Sequence, residues 1–344
     1  RGPRRCWAEP GRSGRLPLGP LNPGGHDTAQ LALLKVFINL DAGEKLVAAD
    51  GTLRHFTSAV AHAHENDRLI ILGDPGSGKS TLFRYLAFCL AGHHRDPASQ
   101  MLANLSWSEE QIPLPPGEDA TAYWAKFADH LREREREFRL RALDRRADET
   151  RPQPVARQWG GHSPIPVQIE LRNFAQTDFD SRSPVALWKY VCNQLERDEL
   201  AEAIPALTRA AQRGEVLFLF DGVDEVPPGK RADIWQAIAA LAGGPYGGCR
   251  WIAACRVLSF APGEAPEGVP VQTLSPLTEE QIDAFVTSWY GALEEAGEYF
   301  PPKSAESLMA AARRPRLRNV ARNPMLLTIM ALVQTWYGTL PNER

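Results

Sequence analysis

Between Gly73 and Thr81 the chain reads GDPGSGKST, with glycines at Gly73, Gly76 and Gly78, an ammonium at Lys79 and a hydroxyl at Ser80. The spacing is G-x-x-x-x-G-K-[ST]. Glycine lets a backbone approach a ligand closely and turn successive N–H groups inward, which makes a short loop into an anion nest. Lys79 adds a positive charge, the N-terminus of a following helix adds its dipole, and the Ser80 hydroxyl suits a hard divalent cation. These are the needs of a polyphosphate with Mg²⁺ on its oxygens. Gly73, Asp74, Pro75, Gly76, Ser77, Gly78, Lys79, Ser80 and Thr81 form the candidate nucleotide-binding set, and Ser80 is a candidate metal ligand.

A second stretch, EVLFLFDGVDEVPP, places Asp221 at the end of a continuous apolar run and Asp224 and Glu225 three and four residues on. Carboxylates crowded beside a buried strand end are costly unless a cation or a reaction uses them. With a phosphate loop nearby, Asp221 would hold Mg²⁺ through a water, and Asp224 or Glu225 would orient or deprotonate an attacking water. Arg256 follows another apolar run, RWIAAC, from where it can reach a γ-phosphate. Asp224, Glu225 and Arg256 are the candidate catalytic residues.

The elements that must position these residues follow from periodicity. Leu69 to Leu72, Val216 to Phe220 and Arg250 to Cys255 are short apolar runs, the signature of strands buried on both faces. PVQIEL at 166–171 and Val269 to Leu274 add two more. Leu82, Phe83, Leu86 and Leu90 recur at helical spacing after the loop, so strand, loop and helix come in the required order. Strands alternating with helices imply an α/β fold, a three-layer core with a mainly parallel sheet, here of the P-loop NTPase kind. Ahead of it, a helix is expected from Thr52 to about Asn66, with Leu53, Phe56, Val60 and Ala63 on one side, and LLKVFINLDA reads as a short helix and strand. The organisation expected is a linker over 1–27, a lead-in over 28–65, a nucleotide-binding core over 66–275 and a helical domain over 276–344. Within the core, 93–163 reads as a helical insertion carrying Tyr123, Trp124, Phe127, Leu131 and Phe138 on one stripe. In the helical domain TEEQIDAFVTSWY opens with acids suited to a helix N-terminus, and Pro324 starts a new apolar helix.

Composition narrows the class. A chain of 344 residues with 43% hydrophobic content can build a real core. A net charge of -3 provides no global attraction to nucleic acid or to an anionic membrane. The Gly- and Pro-rich N-terminus, with Arg1, Arg4, Arg5, Arg12 and Arg15, reads as a linker, with no interleaving of aromatics to support base stacking. Cys6, Cys89, Cys192, Cys249 and Cys255 are odd in number and form no C-x-x-C pair, which argues against a disulfide framework or a zinc site and for a reducing compartment. No apolar run approaches the roughly 20 residues of a membrane span. The chain begins at Arg1 rather than Met and stops in what reads as folded sequence, so it is expected to be part of a longer protein. No N/T-K-x-D tetrapeptide marks a guanine site, and LAGGP at 241–245 comes after the acidic strand, where a transporter's L-S-G-G-Q element would precede it.

Taken together, GDPGSGKST, LFLFDGVDEVP, WIAACR, VQTLSPLTEEQIDAF and ARNPMLLTIMAL resemble the NACHT family of signal-transduction NTPases, bacterial members above all, over roughly 66–340. The resemblance implies a cytoplasmic ATP-binding switch with slow hydrolysis, ATP and Mg²⁺ as its ligands and homo-oligomerisation in the full-length protein. It implies Asp221 as the Mg²⁺ aspartate, Asp224 and Glu225 as the acidic pair near the hydrolytic water, Arg256 as sensor and Pro324 near the adenine. It also implies an effector domain before, a winged-helix domain and a target-sensing region after, and a role in antiphage defence. This chain departs from the family in carrying Ala254 and Cys255 where Thr-Ser usually precedes the arginine, and in its long 93–163 segment. The alternatives are an ATP-locked scaffold that does not hydrolyse, or another P-loop ATPase or kinase.

Overall fold

The computed structural model describes residues 15–17, 30–47, 53–112, 155–161, 163–261, 263, 265–297 and 304–337. Its centre is β5 (Arg68–Leu72), flanked by β10 (Arg250–Cys255) on one side and β11 (Val271–Leu274) on the other, all parallel. Beyond β10 lie β9 (Val216–Asp221) and then β8 (Ile165–Glu170), again parallel. The apolar runs are buried as their composition requires: Leu69, Ile70 and Ile71, Val216 to Phe220, and Ile252 to Cys255 have no exposed surface. Each such aliphatic side chain contributes about 1.5–3 kcal/mol relative to exposure.

Alternate residues of these strands feed two cores. On one face Leu69, Ile71, Leu217, Leu219, Ile252 and Ala254 pack with α2 (Ala59–Glu65) and α3 (Lys79–Arg95). On the other, Ile70, Phe218, Phe220, Trp251 and Ala253 meet α5 (Ala186–Arg197), α6 (Ile204–Gln212) and α7 (Pro228–Gly243), with the short α4 (Leu171–Phe174) directly after β8. The result is an α/β sheet covered on both sides. The C-terminal helices α8 (Glu279–Glu295), α9 (Ser304–Ala312), α10 (Pro315–Ala321) and α11 (Pro324–Tyr337) share the first core, through Val286, Trp289, Leu308 and Leu327. Thr278 and Gln281 close a reciprocal capping box at the start of α8, in keeping with the acids read there.

An antiparallel wing extends the sheet past β11, and the sequence reading did not anticipate it. The order across the nine strands described in this sheet is β7-β6-β4-β3-β11-β5-β10-β9-β8, with β3 (Asp41–Val47), β4 (Leu53–Ser58), β6 (Ser106–Ile112) and β7 (Val155–Gln158) in the wing. The helix expected from Thr52 is therefore corrected: Leu53–Ser58 pairs with β3 and β6, and the helix begins at Ala59 under the Ser58 cap. A window of a dozen residues holds too few apolar positions to separate the two periods, and pairing partners distant in sequence decide it. Within 93–163 the polar outer parts hold two sheet strands, Ser106–Ile112 and Val155–Gln158, which the reading of this segment as an insertion did not include. The stripe from Tyr123 to Phe138 lies outside the described residues. Ahead of the wing, β1 (Arg15–Pro17) and β2 (Gln30–Ala32) form a separate antiparallel pair, followed by α1 (Leu33–Val36).

One half-buried arginine ties the wing-side helix to the parallel sheet. Arg250 donates from Nη2 to the carbonyls of Ala63 and His64 at 2.7 Å and of Asn66 at 3.0 Å, closing the C-terminus of α2. Its guanidinium also lies 5.5 Å from the Trp159 ring centroid.

Candidate functional site

Three strand ends line up to make the site. The loop 73–78 leaves the carboxyl end of β5, Arg256 leaves the adjacent β10, and Asp221 ends β9 one strand further on. Binding crevices of parallel sheets lie at such ends. Gly73 is held by its N–H donating to the Cys255 carbonyl at 3.2 Å, and Ser77 by a turn bond to the Asp74 carbonyl at 3.1 Å. Asp74 and Pro75 form the exposed outer arc of the loop, whereas Ser77 is buried. Gly78 caps α3 with φ 94°, a conformation that L side chains rarely adopt. Thr81 is exposed on the first turn of α3.

Lys79, the first residue of α3, folds its ammonium back over the loop, donating to the carbonyls of Gly73 at 2.7 Å and Asp74 at 3.1 Å. Burial holds its pKa below the ordinary value, with Asp224 and Asp221 opposing that shift and Arg256 adding to it. The Ser80 hydroxyl donates to Asp221 Oδ1 at 3.1 Å, so loop and acidic strand meet in one contact. Gln168 Nε2 on β8 reaches Asp221 Oδ2 at 3.4 Å. Burial pushes the Asp221 carboxyl upward, against the Ser80 bond. The nearby Arg84 offsets part of that rise, and a divalent ion beside this half-buried carboxylate would reverse the penalty.

The other two acids face arginines. Asp224 Oδ2 lies 2.7 Å from Arg256 Nε, and Glu225 Oε2 lies 3.6 Å from Arg172 Nη1 on α4. Pro324 sits in the first turn of α11, and its neighbours touch the loop. Asn323 Nδ2 donates to the Pro75 carbonyl at 2.9 Å, and the Met325 N–H donates to the Gly76 carbonyl at 3.1 Å. Gly76, at φ 75°, lies under this contact, where an added Cβ would come within 2.8 Å of Asn323 Oδ1. The structure thus brings Lys79, Ser80, Asp221, Asp224, Glu225 and Arg256 to one end of the sheet and sets the start of α11 on the loop.

Gln168, Arg172 and Asn323 were not singled out from sequence. Gln168 interrupts an apolar strand, and Asn323 directly precedes a proline that opens an apolar helix, which is an N-cap signal. Arg172 carried no signal of its own. Among the described residues no group of three or more His, Cys, Asp or Glu could hold a metal by itself. An Mg²⁺ at Ser80 and Asp221 would take its remaining ligands from phosphate and water, which is how that ion commonly binds. Among the described residues no helix is long and apolar enough to cross a membrane. Compared with protein-family models and with curated proteins, the chain matches none.

Proposed function

We propose that this chain is the nucleotide-binding part of a NACHT-type P-loop NTPase, a cytoplasmic ATP-dependent switch that hydrolyses slowly and oligomerises in the full-length protein. The observation that carries the reading is the contact of Ser80 with Asp221 at 3.1 Å, beside Lys79 and at the end of a parallel sheet. Two motifs 141 residues apart in sequence meet in the arrangement that a metal-bound polyphosphate requires. Lys79 releases the Gly73 and Asp74 carbonyls and turns its ammonium to the β- and γ-phosphates. Bound Mg²⁺ would offset charge on those phosphates, with Ser80 as a direct ligand and Asp221 holding it through water. Arg256 senses the γ-phosphate, and the acidic pair Asp224 and Glu225 serves the attacking water. The start of α11 rests on Pro75 and Gly76, so a change in loop conformation is transmitted to the C-terminal helices, with Pro324 beside the base. That coupling makes the chain a switch rather than a metabolic enzyme. A defence role in a bacterium rests on the motif resemblance.

One observation favours a second reading, an ATP-locked scaffold without turnover: Asp224 and Glu225 are both engaged by arginines. Magnesium dependence tests the main reading at its root. ATP is titrated with and without Mg²⁺ against the unsubstituted chain and Asp221→Asn. Mg²⁺ is expected to tighten ATP binding about tenfold or more in the former, a difference of about 1.4 kcal/mol, and to have little effect in the latter. An equal magnesium effect in both chains would refute the metal assignment.

A further inference from the structure

We infer that Asp224 is a positioning residue, which holds Arg256 in place, and that proton acceptance falls to Glu225 alone. This division rests on the nucleotide reading above, which treats the two acids as a pair.

The two carboxylates sit in unlike surroundings although they are adjacent in sequence. The Asp224 side chain is 6% exposed, and both of its oxygens serve Arg256: Oδ2 pairs with Nε at 2.7 Å, and Oδ1 accepts the Arg256 backbone N–H at 3.1 Å. Its carbonyl accepts from Arg231 Nη2 at 3.1 Å, and Arg231 Nε donates to the Val226 carbonyl at 3.1 Å, so the turn is fixed from behind. An acid bound this way can take a proton from water only by giving up a charge-assisted pair, among the stronger polar contacts a protein makes. Glu225 is 48% exposed, and its ion pair among the described residues is with the half-exposed Arg172, at 3.6 Å. Loose pairs at that exposure contribute little and open readily.

The position of Asp224 fits the holding role. Its charge is the main one favouring the ammonium of Lys79, which Arg256 opposes. Asp224 therefore stands electrically between two cations that a polyphosphate would share, and it lessens their repulsion while no phosphate is bound. The pair occupies Nε of Arg256. The guanidinium presents a planar fork, whose two Nη groups would be the ones to meet a phosphate oxygen.

Competition titrations of ATP and ADP, together with phosphate release, test the division. Arg256→Ala is expected to lower the ATP-over-ADP affinity ratio at least about tenfold, a loss typical of a charge-assisted contact. Asp224→Asn keeps an oxygen for the Arg256 backbone N–H and loses only the ion pair. It is expected to lower the ratio similarly, and the double variant no further. Arg256→Lys, which can still pair with Asp224, should recover part of the ratio. Glu225→Gln should keep the ratio and lose turnover. The inference is overturned if Asp224→Asn retains the ratio but not turnover, or if Glu225→Gln turns over normally. Absence of saturable ATP binding by the unsubstituted chain would remove the nucleotide reading itself, and the assignment of Asp224 with it.

Discussion

Asn323→Ala probes the junction between the loop 73–78 and the C-terminal helices. The Asn323 side chain accepts the N–H groups of Met325 at 3.1 Å and Leu326 at 3.2 Å, and it donates to the Pro75 carbonyl at 2.9 Å. Alanine removes both functions. Loss of a side-chain cap costs about 0.5–2 kcal/mol, typically about 1. Loss of the loop bond costs about 1 kcal/mol more. Urea unfolding should therefore show Asn323→Ala about 2 kcal/mol less stable. Asn323→Asp separates the two parts, because its carboxylate still accepts both N–H groups and suits a helix N-terminus but cannot donate to Pro75. It should recover about half of the loss. The stated role of Asn323 is wrong if the alanine variant lies within about 0.5 kcal/mol of the unsubstituted chain, the range of ordinary surface changes. It is equally wrong if aspartate is no better than alanine.

Burial raises the Asp41 carboxyl from 3.8 to about 6, with a Gln281 hydrogen bond opposing the rise. The folded chain thus holds this proton more tightly than the unfolded one, so its stabilising contribution is present below about pH 3.8 and lost as pH rises through about 6. Asp41→Asn should then be more stable at pH 8 by about 1 kcal/mol, well below the full linkage value because the site is partly open to solvent, with flatter stability between pH 4 and 7 in urea titrations. For turnover, Glu225→Gln should bind ATP within about threefold of the unsubstituted chain while releasing phosphate about a hundredfold more slowly or worse, the usual scale of a lost general base.

The parallel half of the fold was readable because β5, β9 and β10 carry uninterrupted apolar runs, and such runs have few structural solutions. The loop and Asp221 stood out for a different reason: under the proposed nucleotide reading, their residue types and spacing answer to phosphate chemistry rather than to packing. The antiparallel wing was hidden. Its strands are mostly polar, and β4 finds its partner β6 only across β5 and α3, a choice that no local window records. The partners of the acids were hidden as well. Arg172 and Arg231 are ordinary exposed or helical arginines in sequence, and only the turn after β9 makes Asp224 a buried acceptor and Glu225 an open one.

Titrating ATP·Mg²⁺ against the unsubstituted chain and Lys79→Ala, by calorimetry on matched folded samples, measures the grip of the loop on polyphosphate. Saturable binding to the former and at least a hundredfold loss in the latter, about 2.7 kcal/mol or more, is the expected result. Equal affinity in the two chains would contradict the reading that the loop 73–80 binds a nucleotide.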